Sequence, residues 1–305
     1  MRILSLAGGG IRGYIQALVL AEIESRVCRP LHTLFDLIIG TSTGGILGAG
    51  LALGKSASDM AAFYRERGPQ IFRKTLGKRV RSVCGLADEA YDADGFETAL
   101  SDVFGDAALS QVLTRLCLTA YDIEGRRPVF FKSWKAQENL RDDHPLTAIS
   151  RATAAAPTYF EPALVKSATG FMRACIDGGM FANNPAMCGV VEALKLGNAP
   201  RRIKLLSMGT GCDERPYLLS DARGWGLTGW ARPILDILFS GQSDAADYQC
   251  AEILGRNFVS LQPGFGDPIA MDATDARTFS TMEFYAGRVI DSSDMAMAMN
   301  LVGAA

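Results

Sequence analysis

Histidine is nearly absent from this chain. Only His32 and His144 occur in 305 residues, so a catalytic site that needs imidazole has two places to find it. Neither is well placed. Where a serine, an acid and a histidine follow one another in that order, the histidine comes last, and nothing after His144 can serve. His144 follows Arg141-Asp142-Asp143 and precedes Pro145, a polar stretch that reads as a surface loop, while His32 lies in a connection near Pro30. Metal and redox signatures are missing as well. The seven cysteines (Cys28, Cys84, Cys117, Cys175, Cys188, Cys212, Cys250) are odd in number and scattered without a Cys-x-x-Cys pair, so they read as small buried hydrophobes in a reducing compartment.

Charge of one sign is lacking too. Lys and Arg number 31 against 33 Asp and Glu, a formal net charge of −2, which argues against a nucleic-acid partner. No repeat, low-complexity run or Pro/Gly/Ser linker divides the sequence, and a single domain over residues 1–305 is expected. Five residues between Arg2 and the first glycines are too few for the apolar part of a signal peptide, so a cytoplasmic location is expected. The one long weakly charged stretch, Leu34 to Gly54, carries only Asp36 and approaches the roughly 20 residues of a membrane span. Six glycines and a turn-like Gly-Thr-Ser-Thr-Gly at its middle suit a buried strand followed by a buried helix instead.

Apolar residues make up 48% of the chain, enough for a sizeable core. "RILSLA" reads as a buried strand closed by Gly8 to Gly10, followed by a helix from Gly13 to about Cys28. "LFDLIIG" reads as a second strand and Thr43 to Leu53 as a second helix. This alternation predicts an α/β fold with a mainly parallel sheet covered on both faces. In "DADGFETALSDVF", Phe96, Leu100, Val103 and Phe104 share a helical face, with Asp94 as N-cap. Its Asp-x-Asp-Gly start lacks the remaining ligands of a calcium loop. "RLCLTAYDI" and "PVFFKSW" read as strands joined by a turn, "LTAISRATAAA" as a helix ending before Pro157, and "FMRACID" as a strand that delivers Asp177. Pro185 opens a further helix, and "RIKLLSMGTG" is a late strand running into glycines.

Three motifs carry chemistry. Gly40-Thr41-Ser42-Thr43-Gly44 fits Gly-x-Ser-x-Gly between a strand and a helix, the setting in which a tight turn presents a serine Oγ near the positive end of the helix. Gly40 and Gly44 are small there because a side chain would strike the crossing elements. Asp177 ends an apolar strand before Gly178-Gly179; it is either a turn former or a carboxylate base whose pKa burial raises. Gly8-Gly9-Gly10-Ile11-Arg12-Gly13 fits the Gly-x-Gly-x-x-Gly of dinucleotide sites, but the second strand lacks the terminal acid that would hold a ribose. Glycine amides at a helix start equally suit a developing oxyanion. A Walker loop is excluded because Gly-Lys-Ser/Thr is missing.

Together, Gly-Gly-Gly-x-Arg-Gly at the start, Gly-Thr-Ser-Thr-Gly-Gly some thirty residues on and Asp-Gly-Gly further down resemble the patatin-like phospholipase family. "SRATAAAPTYFEPA" and "DGGMFANNPA" extend the resemblance, which covers about residues 2 to 211. It implies a three-layer α/β/α sandwich and hydrolysis of acyl esters in membrane phospholipids or other acyl lipids. Ser42 is then the nucleophile, Asp177 its sole general base, and the oxyanion hole comprises Gly8, Gly9, Gly10, Arg12 and Gly13. No metal or organic cofactor is implied. Ala7 stands where many members carry aspartate. Single-domain bacterial members include effectors of antiviral defence switched on by a cyclic dinucleotide, which makes such a molecule a second expected partner.

Residues 212 to 305 are expected to be helical and to pack on the core. Trp225 and Trp230, set among glycines, are candidates for contact with a membrane at its inner surface, as against packing under a loop. "MAMAMNLVGAA" reads as a methionine-rich helix or tail that packs.

Overall fold

The computed structural model describes residues 1–73, 90–230 and 233–303. Its centre is an eight-stranded sheet made by β1 (Arg2–Leu6), β2 (Leu37–Gly40), β3 (Arg115–Asp122), β4 (Arg127–Lys132), β5 (Ala163–Lys166), β6 (Met172–Asp177), β7 (Lys204–Met208) and β9 (Phe258–Leu261). Strands β3, β2, β1, β7 and β9 lie side by side in parallel, and β4, β5 and β6 join by antiparallel pairing. A separate parallel pair is formed by β8 (Cys212–Asp213) and β10 (Gly264–Phe265).

Period-two alternation divides the strand residues between two cores. Ile3, Leu37, Ile39, Cys117 and Leu205 face one side, where they meet α8 (Ala186–Lys195) and the end of α11 (Pro233–Leu254). Leu4, Leu6, Ile38, Leu116, Leu118 and Leu206 face the other, larger core. That side is covered by α1 (Gly13–Val27), α2 (Thr43–Ala52), α3 (Ala57–Ile71), α4 (Ala93–Phe104), α6 (Leu146–Thr153), α12 (Ala276–Ile290) and α13 (Ser293–Val302). The result is the three-layer α/β/α arrangement. The remaining helices are short: α5 (Ser133–Glu138), α7 (Gly179–Ala182), α9 (Leu219–Ala222) and α10 (Leu227–Trp230).

The apolar stretch after Leu34 is β2 followed by α2, every residue of which is buried. Among the described residues, no helix is long and apolar enough to cross a membrane. Three local expectations are corrected. The cap of α4 is Asp92, whose side chain accepts the Asp94 N–H, because residue 92 has the extended backbone a cap needs and Asp94 is already in the first turn. His144 is buried and not in a surface loop, its ring edge-on to Phe131 at 5.1 Å between centroids. Residues 212 to 305 are not wholly helical: four-residue β9 extends the main sheet beside β7. Six cysteines are free thiols, and Cys84 lies outside the described residues.

One feature of the topology positions the site. Strand β3 has three partners but only two edges. Strand β4 covers residues 117–122 on one edge, so β2 (pairing with 115–118) and β6 (pairing with 120–122) share the other. They meet end to end: Gly40 is opposite Leu118 and Asp177 opposite Ala120, two residues or roughly 7 Å apart along β3.

Candidate active site

Ser42 sits in the turn from β2 to α2 with φ 56° and ψ −128°, a conformation that a non-glycine residue adopts only when its surroundings enforce it. The enforcement is steric and polar. A Cβ on Gly40 would lie 2.4 Å from the Gly44 carbonyl, and one on Gly44 would lie 2.3 Å from the Leu6 carbonyl, so strand and helix cross only because both residues are glycine. The Ser42 N–H donates to Thr153 Oγ1 at 2.9 Å. Two residues on, the Ala155 carbonyl accepts the Asp177 N–H at 3.0 Å. The end of α6 thus grips both elements of the site.

Asp177 is 4% exposed. Burial pushes its carboxyl up to about 7, against which hydrogen bonds from the Ser42 hydroxyl and the Gly179 N–H pull it down. The Gly179 bond is 2.7 Å long. A carboxylate in this condition is poised to take a proton near neutral pH, and it lines the same pocket as the Ser42 turn.

The glycine loop divides into free and committed donors. Among the described residues, the Gly9 and Gly10 N–H groups have no protein acceptor, and both glycines line the pocket that holds Ser42 and Asp177. The Gly8 N–H donates to the Asn183 carbonyl at 2.9 Å, and the Gly13 N–H bonds back to the Gly10 and Ile11 carbonyls as α1 begins. Both of these expected donors are thus engaged with protein carbonyls in this structure. Arg12 is also outside the pocket lining: its Nε donates to the Gly9 carbonyl at 3.3 Å and its guanidinium lies over the Phe265 ring.

The pocket itself is a cavity of about 180 Å3 with an almost entirely apolar wall that includes Ile46, Phe63, Ile71, Phe96 and Phe160. It begins at Ser42 and suits a hydrocarbon chain. Phe239 from α11 and Met271 complete it from the C-terminal third of the chain. On the outside, Trp230, Ile234, Ile237 and Leu238 are exposed on α10 and α11, while Trp225 is half-buried and edge-on to Tyr217 and Trp230. The structure separates the two tryptophans in this way: Trp230 faces solvent and Trp225 props it.

Sequence reading missed Thr153, Asn183 and Thr210. Thr153 and Asn183 lie inside stretches that resemble the family, and Thr210 stands between two glycines after a strand as Thr41 and Thr43 flank Ser42. None of these patterns states which carbonyl or amide the side chain meets.

A reactive-looking hydroxyl on a strand–helix turn, beside a buried carboxylate and an apolar cavity, is an arrangement able to accept an acyl group. Comparison with known families agrees: the model described as patatin-like phospholipase matches residues 4–188. This chain belongs to the patatin-like phospholipase family, which implies lipid acyl hydrolase activity. It is 31% identical over 316 residues to patatin-like protein 2 of Arabidopsis thaliana, covering 88% of this chain and 78% of that one. It is 32% identical over 268 residues to a cGAMP-activated phospholipase of Pseudomonas aeruginosa, covering 85% and 77%. Among solved structures, VipD from Legionella pneumophila aligns at a TM-score of 0.45 and 11% identity, over 94% of this chain and 66% of that one.

The raised Asp177 pKa has a consequence for stability. Because the folded-state value of about 7 lies above the ordinary 3.8, ionising Asp177 opposes folding, and stability falls as pH rises from about 4 to 7. Asp177→Asn removes that penalty. It is expected to melt above the wild type at pH 8 and level with it near pH 4; an equal or lower Tm at pH 8 contradicts the assignment.

Proposed function

We propose that this protein is a phospholipase A-type serine hydrolase that cleaves fatty acyl esters of membrane lipids with Ser42 and Asp177 alone. The observation that carries the reading is that Ser42, on its strained turn, and the buried Asp177 line the same apolar cavity, with the Ser42 hydroxyl among the groups that act on the Asp177 carboxyl. In the first half of the reaction Asp177 takes the hydroxyl proton while Ser42 Oγ bonds to the acyl carbonyl carbon. The carbonyl pair moves onto oxygen, where the Gly9 and Gly10 amides meet it, aided by the N-terminal end of α2. The adduct collapses, the C–O bond to the lipid alcohol breaks, and the departing oxygen takes the proton from Asp177. Water then attacks the acyl-serine, gives its proton to Asp177, and Ser42 recovers that proton as the fatty acid leaves.

Lipid has to reach the cavity from a membrane surface. Ile234, Ile237 and Leu238 are exposed on α11, which also carries the cavity-lining Phe239, and exposed Trp230 ends α10 just before it, so together they offer an apolar band leading to the cavity. This supports peripheral action at a membrane surface. A second reading, activation by a cyclic dinucleotide, is favoured by the similarity to the cGAMP-activated phospholipase.

Two outcomes are expected. Incubated with mixed bacterial phospholipids, with and without cGAMP, the wild type releases free fatty acid detected by mass spectrometry. Ser42→Ala, which cannot form the acyl ester, and Asp177→Ala, which leaves the hydroxyl without a base, each lose at least about three orders of magnitude; retention of rate in either variant ends the two-residue reading. Replacing Trp230 with alanine weakens sedimentation with phospholipid vesicles more than replacing the half-buried Trp225, and unchanged binding in both places the membrane contact elsewhere.

A further inference from the structure

The Gly9 and Gly10 amides are free, but a free amide on a glycine loop has no intrinsic direction. With two or three glycines in a row, the backbone can rotate its peptide planes at little steric cost. Each N–H, however, belongs to a planar trans peptide whose carbonyl points the opposite way, so whatever grips the carbonyl aims the amide.

Both carbonyls are gripped. The Gly8 carbonyl, which shares its peptide plane with the Gly9 N–H, accepts a hydrogen bond from the Thr210 hydroxyl at 2.8 Å. The Gly9 carbonyl, which shares its plane with the Gly10 N–H, accepts from the Arg12 backbone N–H and from Arg12 Nε, each at 3.3 Å. Thr210 is itself buried, two residues past the end of β7, and its side chain occupies the space next to Gly9: a Cβ there would lie 2.1 Å from Thr210 Oγ1. The Gly8 N–H bond to Asn183 pins the other side of the same residue.

We propose that Thr210 is a positioning residue for acyl transfer: by holding the Gly8 carbonyl it aims the Gly9 N–H at the oxyanion that forms as Ser42 attacks. This rests on the reading of Ser42 and Asp177 given above. Thr210 lies beyond residues 4–188, so the family match does not include it. Its hydroxyl acts on the transition state through the backbone, and Thr210 is not among the residues that line the cavity, so its removal lowers kcat and leaves KM in place.

The test compares the full-length wild type with Thr210→Val, which replaces the hydroxyl by a methyl of similar size, and Thr210→Ser, which keeps it. Deleting an oxyanion donor outright lowers kcat about 100-fold to 1,000-fold, so misaiming one is expected to lower it roughly 10-fold to 100-fold. On a p-nitrophenyl acyl ester, Thr210→Val shows that loss with KM unchanged, and Thr210→Ser returns to within a few-fold of wild type. Affinity for a long-chain trifluoromethyl ketone, which forms an oxyanion on the serine, falls in parallel with kcat. Thr210→Ala is read the same way if the valine variant unfolds. The inference is overturned if Thr210→Val turns over at the wild-type rate, if it loses KM rather than kcat, or if serine fails to rescue. A wild type that is inactive both with and without cGAMP, by contrast, overturns the hydrolase reading itself and this inference with it.

Discussion

The site depends on one shared edge of β3. Because β2 and β6 run toward each other along that edge and stop two residues apart, the chain ends of both strands turn out of the sheet at the same place. From there β2 enters the serine turn and β6 delivers Asp177. No side-chain choice at either residue would bring them together if β6 paired one edge further out. The antiparallel strand in an otherwise parallel sheet is therefore what makes a two-residue site geometrically available.

Around that junction the polar bonding is economical. The end of α6 fixes the Ser42 amide through Thr153 and the Asp177 amide through Ala155. Asn183, just past α7, takes up the Gly8 amide. Within the glycine loop the Gly9 and Gly10 amides have no protein acceptor among the described residues, and both glycines line a cavity whose wall is apolar. Burial has two effects here. It raises the carboxyl of Asp177 into the range where it can act as a base without imidazole, and it strengthens any hydrogen bond to a developing charge. The cost is a native state that carries a poorly solvated acid.

Much of this was legible in the residues. The strand–glycine–helix alternation gives the layered fold because β-period and helix-period apolar patterns succeed each other cleanly through residues 2 to 53. The serine turn was readable because Gly40 and Gly44 report a close crossing. Donor assignment in the glycine loop was not readable: whether Gly8 or Gly9 keeps a free N–H is decided by Asn183, some 175 residues away, and by the start of α1 at Gly13. His144 misled for a related reason, since Arg141, Asp142 and Asp143 suggest solvent while Phe131, which covers the ring, comes from β4. Four-residue β9 carries too short a pattern to separate from a loop, although its neighbour β7 gives it a place in the sheet.

The proposed chemistry requires Asp177 to act as the unaided base for Ser42, and the pH dependence of serine modification by a fluorophosphonate probes this most directly. The second-order rate of labelling of the wild type should climb with pH as one group ionises near pH 7 and then level off. A rate that is flat across that range, or that follows the same curve once Asp177 is replaced by asparagine, would contradict it.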